Sequence, residues 1–315
     1  MKHTFYIALT LLIFTSCTKE VEIDIPGYAE ELVIDGVIET NAPPFVMISK
    51  TKDIYAPTDI DAFLNGFVSG ATVTVSDGAN TVVLDEWCSD NLPPGAGPIA
   101  AQMFGISESE LANYHICAYL TLDPSMSGQV GKTYQLTVEL DGNTYQASTA
   151  IVQPTYFDSV WWKPEPSTPN HGFSWVYLTD PPTKGDAYKW EVKRINIGMD
   201  GEPIDQNFKV PFSPVFNDQF FNGLAFEFAY ENPFAFETET PEEYLGLYPL
   251  GDTVVIKFSK MDAQVYEYLE KKYLQIQTAG NPFSTPTNIP NNISGGALGV
   301  WAGFSPSYDT LICQP

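Results

Sequence analysis

His115 and His171 are the histidines left for a catalytic or metal centre once His3, in the leading apolar segment, is set aside. They stand far apart, and neither belongs to a His-x-x-x-His pair, the spacing that puts two ring nitrogens on one helical face. A His-based zinc site is therefore not expected, and each reads as a structural histidine. Gly172-Phe173-Ser174-Trp175-Val176 begins like a nucleophile elbow but carries Val where the tight turn needs a closing glycine, so Ser174 reads as an ordinary strand residue. Gly295-Gly296-Ala297-Leu298-Gly299 has no Lys-Ser/Thr to meet phosphates and reads as a turn before a strand. Asp59-Ile60-Asp61, with Asn65-Gly66 behind it, lacks the third alternating acid and the bidentate glutamate of a calcium loop. The acids between Glu237 and Glu243 read as a solvated run. No catalytic residue, metal or cofactor is implied by these patterns, and the chain reads as a protein other than an enzyme.

The cysteines say more. Cys17 comes directly after a segment with the build of a secretory signal, residues 1–16: Lys2 gives the positive start, and residues 5–14 are apolar apart from Thr10. That run is shorter than the roughly 20 apolar residues a spanning helix needs. Small residues Thr15 and Ser16 then precede Cys17, the arrangement of a lipoprotein cleavage site, with Phe14 where Leu is common. Lipid on Cys17 would tether the folded body to a membrane, each buried CH₂ contributing about 0.8 kcal/mol. Cys88 and Cys117 flank one short stretch and are expected to pair in an exported, oxidising compartment. Cys313 is then a free, buried thiol, although the spacing leaves its pairing with either of the others open.

Aromatic residues form the other notable group. Trp161-Trp162 are adjacent in an expected strand, so their side chains point to opposite faces. Both are expected to be buried between domains, and an exposed one would be a contact for a sugar ring or a partner. Phe220-Phe221, Phe226, Phe228 and Tyr230 make a second aromatic stretch, either core or docking patch.

Positioning these residues requires a folded body. Aromatics make up 14% of the chain, too many for a disordered stalk, and 25 prolines with 23 glycines favour strands and turns over long helices. With Lys2 removed, 14 basic residues face the 39 acidic ones, giving −25, a charge that repels nucleic acid and anionic lipid. Residues 17–27 read as a short tether. Strands are expected over 32–39, 45–50, 71–76 and 81–85, and over 133–140 and 143–151 joined by Asp141-Gly142. That spacing implies a mainly β chain, with an immunoglobulin-like β-sandwich over 28–153 and a disulfide-bounded helical insertion at 88–117. Gln153-Pro154 reads as a boundary. Beyond it a second β-rich domain is expected over 154–315, with strands near 157–162, 173–179, 187–197, 224–230, 252–259, 297–304 and 308–312. It holds one amphipathic helix near 260–278, capped by Ser259, with Val265, Leu269, Lys272 and Ile276 along one face.

The order of Leu32-Val33-Ile34-Asp35-Gly36, Gly131-Lys132-Thr133-Tyr134-Gln135-Leu136, Asn217-Asp218-Gln219-Phe220-Phe221-Asn222-Gly223, Asn281-Pro282-Phe283 and Ile293-Ser294-Gly295-Gly296 resembles the Bacteroidetes lipoproteins that contain the domain of unknown function 4249. The resemblance covers nearly the whole chain after Cys17. It carries no catalytic residues. It implies an outer-membrane, lipid-anchored protein exposed at the cell surface, serving as the accessory or ligand-capturing partner of a TonB-dependent transporter. The alternative is an independent glycan-binding or adhesive lipoprotein, for which Trp161 or Trp162 would be the contact. Oligomeric state is not encoded in any of these patterns.

Overall fold

The computed structural model describes residues 29–51, 66–104, 107–199, 201–236, 240–278 and 288–314. Cys17 with its leading segment and tether, Asp59 with Asp61 and Asn65, Glu237 with Glu239, and Asn281-Pro282-Phe283 lie outside these residues.

The fold is mainly β, in three sheets. The largest has eight strands in the order β12-β11-β15-β16-β1-β2-β6-β5: β12 (Val215–Asn217), β11 (Ala187–Arg194), β15 (Thr253–Met261), β16 (Leu298–Ile312), β1 (Leu32–Glu39), β2 (Phe45–Lys50), β6 (Cys117–Leu120) and β5 (Asp85–Cys88). A four-stranded sheet joins β4 (Thr81–Val83), β3 (Thr72–Ser76), β7 (Thr133–Leu140) and β8 (Asn143–Ala150). A second one sets β10 (Thr168–Thr179) between β9 (Phe157–Glu165) on one side and β13 (Ala225–Tyr230) with β14 (Tyr248–Pro249) on the other. The hairpin turn expected between β7 and β8 forms: Asp141 and Gly142 both take positive φ, 51° and 79°, the geometry that matches the twist of the flanking strands.

The boundary expected at Gln153-Pro154 falls between β8 and β9, yet the eight-stranded sheet draws strands from both sides of it, and Glu31–Pro315 forms one compact unit. The link is β1 against β16, a parallel pair running from Val33 beside Leu298 to Glu39 beside Phe304. Residues 297–304 and 308–312, expected as two strands, are one strand of 15 residues through Pro306. The reason is geometric. The Phe304 carbonyl accepts the Thr40 N–H (3.0 Å), so even-numbered residues of β16 direct their backbone toward the β1 flank. Glu39, opposite Phe304, is the last paired residue of β1, so the missing N–H of Pro306 breaks no ladder bond.

Alternation along β16 sorts the layers. Trp301 and Leu311 point to one face, where the two smaller sheets pack. Val300, Ala302 and Phe304 point to the other, where helix α3 (Ala263–Thr278) packs; α1 (Gly97–Phe104) and α2 (Glu108–Leu111) belong to the disulfide-bounded insertion. Trp301 is fully buried, and its indole N–H donates to the Tyr134 carbonyl at 3.0 Å. Burying such a ring stabilises by about 3 kcal/mol. Beyond the end of β15, the Asn292 side chain serves the free Trp301 backbone, donating to its carbonyl and accepting its N–H, each at 2.8 Å.

The cap of α3 is Asp262, not Ser259. Asp262 Oδ1 accepts the Val265 N–H at 2.9 Å, and Ser259 is buried within β15. Such a cap is worth about 1 kcal/mol. The buried stripe runs through Val265, Tyr268 and Leu269, whereas Ile276, in the last turn of the helix, is 60% exposed. Lys272 keeps its place beside the stripe because Asp35 of β1 lies beneath it, 3.8 Å away.

The same face of the large sheet holds an ionic cluster. Lys257 Nζ lies 2.6 Å from Glu39 Oε1 and 3.6 Å from Glu191 Oε2, and Lys189 Nζ lies 2.9 Å from Glu191 Oε1. Burial pushes the Glu191 carboxyl up, but the charges of Lys189 and Lys257 outweigh it and hold the group below its ordinary range. A carboxyl depressed in the folded state lends stability above its unfolded pKa and loses it as pH falls through the folded one. Urea unfolding should thus show stability falling as pH drops below the ordinary glutamate range. Glu191→Gln should flatten that fall and cost about 3 kcal/mol at neutral pH, since it leaves the partly buried Lys189 ammonium without its carboxylate and Lys257 with Glu39 alone.

Candidate binding groove

The adjacent tryptophans point to opposite faces of β9, as strand geometry requires. Trp162 is 5% exposed, its N–H donating to the Tyr248 carbonyl at 3.2 Å, so it belongs to the core and is not a surface contact. Trp161 is half-buried on the outer face, where it pairs across strands with Trp175, which in turn pairs with Ala229 of β13. The Trp161 and Trp175 rings lie nearly parallel, 22° apart with centroids at 6.3 Å. Lys163 Nζ sits 4.8 Å from the Trp175 ring centre, a cation–π contact worth about 0.5–1 kcal/mol at such a site.

On the β13 side of Trp175 the face opens into a groove of about 450 Å³, lined by Phe173, Trp175, Phe212, Ser213, Ala229, Tyr230 and Glu231. Its shape comes from the strands. Phe173, Trp175 and Tyr177 alternate on the outer face of β10 while Ser174, Val176 and Leu178 are buried, and Ala229 leaves open the space before Trp175. The far wall is pinned at two points: Glu231 Oε1 accepts the Phe212 N–H, and the Tyr230 hydroxyl donates to the Ser213 carbonyl, both at 2.8 Å. Phe212 is 67% exposed. An aromatic groove with a carboxylate and a hydroxyl at one end is suited to holding an apolar or ring-shaped group.

Sequence reasoning singled out Trp161, which lies beside the groove, and Tyr230, which lines it, but missed Phe173, Trp175, Phe212 and Glu231. The signal was present in part: aromatics at 173, 175 and 177 share one strand face by period two. The stretch near 220–230 divides. Phe221, Phe226, Phe228 and Tyr230 pack against the core beside Trp190, whereas Phe220 is 87% exposed.

The other candidates fall apart from the groove. Ser174 is buried and its hydroxyl donates to the Tyr230 carbonyl at 2.9 Å. His171 stacks on Tyr244 with ring centres 4.0 Å apart. Gly295 and Gly296, both at positive φ, form the turn before β16. Cys88 and Cys117 face each other across β5 and β6 and are joined by a disulfide. His115 lies beside this bond, Nε2 3.4 Å from Cys117 Sγ and Nδ1 3.1 Å from Asp90 Oδ2. Cys88, His115 and Cys117 together are of metal-ligand type, but the S–S bond occupies both sulfurs. Cys313 is free and buried, and burial with the nearby Asp252 charge pushes its thiol up to about 12. No helix among the described residues is long and apolar enough to cross a membrane.

A family model described as a domain of unknown function (DUF4249) matches residues 18–308. No curated protein and no solved structure matches the chain.

These cysteines generate a direct expectation. Ellman's reagent should leave Cys313 unreacted in the folded protein and modify it on unfolding, because little thiolate forms and the sulfur is enclosed. Reducing Cys88–Cys117, which closes a loop of 29 residues, should lower the unfolding free energy by about 3–4 kcal/mol in a urea titration.

Proposed function

The chain belongs to the DUF4249 family, and from that premise we propose that it is a non-enzymatic lipoprotein of the bacterial outer membrane, held by lipid on Cys17, that captures a ligand or partner beside a TonB-dependent transporter. The groove carries the binding part of this reading. It is open to solvent, walled by aromatic rings and built on a rigid sheet. The anchor rests on the apolar segment before Cys17 and its small-residue approach. The transporter, the surface exposure and the Bacteroidetes setting rest on the resemblance of motif order. An immunoglobulin-like character for the N-terminal half belongs to the same proposal, supported by β1 and β2 packing against β3 and β7.

One observation favours a second reading, an independent glycan-binding lipoprotein: Trp161 beside Trp175 forms a half-buried pair of near-parallel rings on the outer face, on which a sugar could lie. The two readings separate experimentally. Affinity capture after mild detergent extraction should recover a β-barrel transporter with the wild-type chain. Trp175→Ala should weaken that capture by about 2 kcal/mol, roughly thirtyfold, as for a central aromatic contact. Capture without any β-barrel protein, together with glycan binding that Trp161→Ala abolishes, would favour the second reading and sink the first.

A further inference from the structure

Strand β13 is an edge of its sheet: β10 is the only strand it pairs with among the described residues. The Asp180 N–H donates to the Leu224 carbonyl at 2.9 Å, so the next even-numbered positions, Phe226, Phe228 and Tyr230, face β10. Ala225, Glu227 and Ala229 therefore turn their N–H and C=O groups outward, and all three are exposed. Among the described residues nothing pairs with these groups.

Other edges in the molecule are blunted, as sheet edges usually are. β12 and β4 have three residues each. β5 has four and is tied to its neighbour by the disulfide. β8 is covered where Ser294 donates to and accepts from Gln146. β9 carries Lys163 and Pro164. β13 has six residues, Ala-Phe-Glu-Phe-Ala-Tyr, with no lysine, proline or covering segment among the described residues. The binding groove lies at its Tyr230 end, since Ala229, Tyr230 and Glu231 line it.

We propose that the open edge of β13 takes up an extended segment of a partner protein as an added strand, with one apolar side chain of that segment seated in the groove. The backbone of the edge selects an extended chain, because only another strand satisfies outward donors and acceptors repeating every second residue. The outer face selects the side chains. Opposite Ala225 and Ala229 there is room for apolar groups, the latter against Trp175 and Phe212. Opposite Glu227, and near Glu231, a basic side chain is complementary. The segment it fits therefore reads apolar, basic, apolar at alternate positions. The inference rests on the groove being a contact surface, and it names the kind of partner that contact takes.

The peptide Thr-Val-Thr-Lys-Thr-Phe-Thr is a suitable probe for the full folded chain. Added at millimolar concentration, it should slow amide hydrogen exchange at Ala225, Glu227 and Ala229 by about tenfold, with Phe226 and Phe228 unchanged because they already bond to β10. Methylating the backbone nitrogens of one alternating set of its residues should abolish the effect, and methylating the other set should not. Glu227→Lys should weaken binding, and replacing the peptide lysine by glutamate should restore it. No slowing at the three amides would overturn the proposal. So would binding that Trp175→Ala abolishes while neither methylated set matters, a result that leaves the groove as a contact surface but removes the added strand. Protection of the same amides without peptide, in proportion to protein concentration, would show that a second copy of the chain occupies the edge, and would overturn it as well.

Discussion

The parallel pairing of β1 with β16 is the contact on which the remaining packing depends. It brings Val33 beside Leu298 and so joins the first described strand to the last. The approach is close enough to dictate residue types. A Cβ on Gly36 would stand 2.6 Å from the Trp301 ring, and one on Gly299, held at φ +114°, would stand 2.1 Å from the Ile34 carbonyl. Glycine at both places lets the strands lie flat while Trp301 reaches across Gly36 into the core. Parallel pairing across such a separation costs chain entropy before any contact is returned. The return is large because β16 serves every layer: both smaller sheets pack on one of its faces, and α3 packs on the other.

Electrostatics and surface character are set by that arrangement. Lys189, Lys257, Lys260, Arg194 and Lys132 each meet a carboxylate, in Glu191, Glu39, Asp186, Asp205 and Asp77. With 15 basic residues against 39 acidic ones, these pairings leave the outer surface strongly negative. The groove shares that sign, with Glu231 at its end and no basic residue in its lining. The rigid sheet behind it holds Trp175 and Ala229 in register, so the aromatic wall is organised before any ligand arrives.

Local patterns were legible in the sequence and long-range ones were not. Val73, Val75, Leu136 and Val138 alternate with polar residues, and the turns Asp77-Gly78 and Asp141-Gly142 mark the hairpins they belong to. The Cys88–Cys117 pairing was readable because the two residues bound a short insertion. The division at Gln153-Pro154 read as a domain boundary because periodicity and turn chemistry report neighbours in the chain, and neither reports which distant strand lies alongside. The strands expected over 297–304 and 308–312 are one for the same reason: only the position where β1 stops makes Pro306 harmless between them. Asp262 and Ser259 are both capping types, and the extent of β15 decided between them. Of the groove, Tyr230 was visible in the aromatic stretch, while Phe212 and Glu231 became part of it through tertiary placement alone.

Through the β1–β16 pair, residues from both sides of Gln153-Pro154 share one sheet and should unfold as a single cooperative body, which differential scanning calorimetry reports. One transition, with calorimetric and van 't Hoff enthalpies in agreement, is the expected result. Two separable transitions, one of which survives proteolytic removal of the other half, would contradict it.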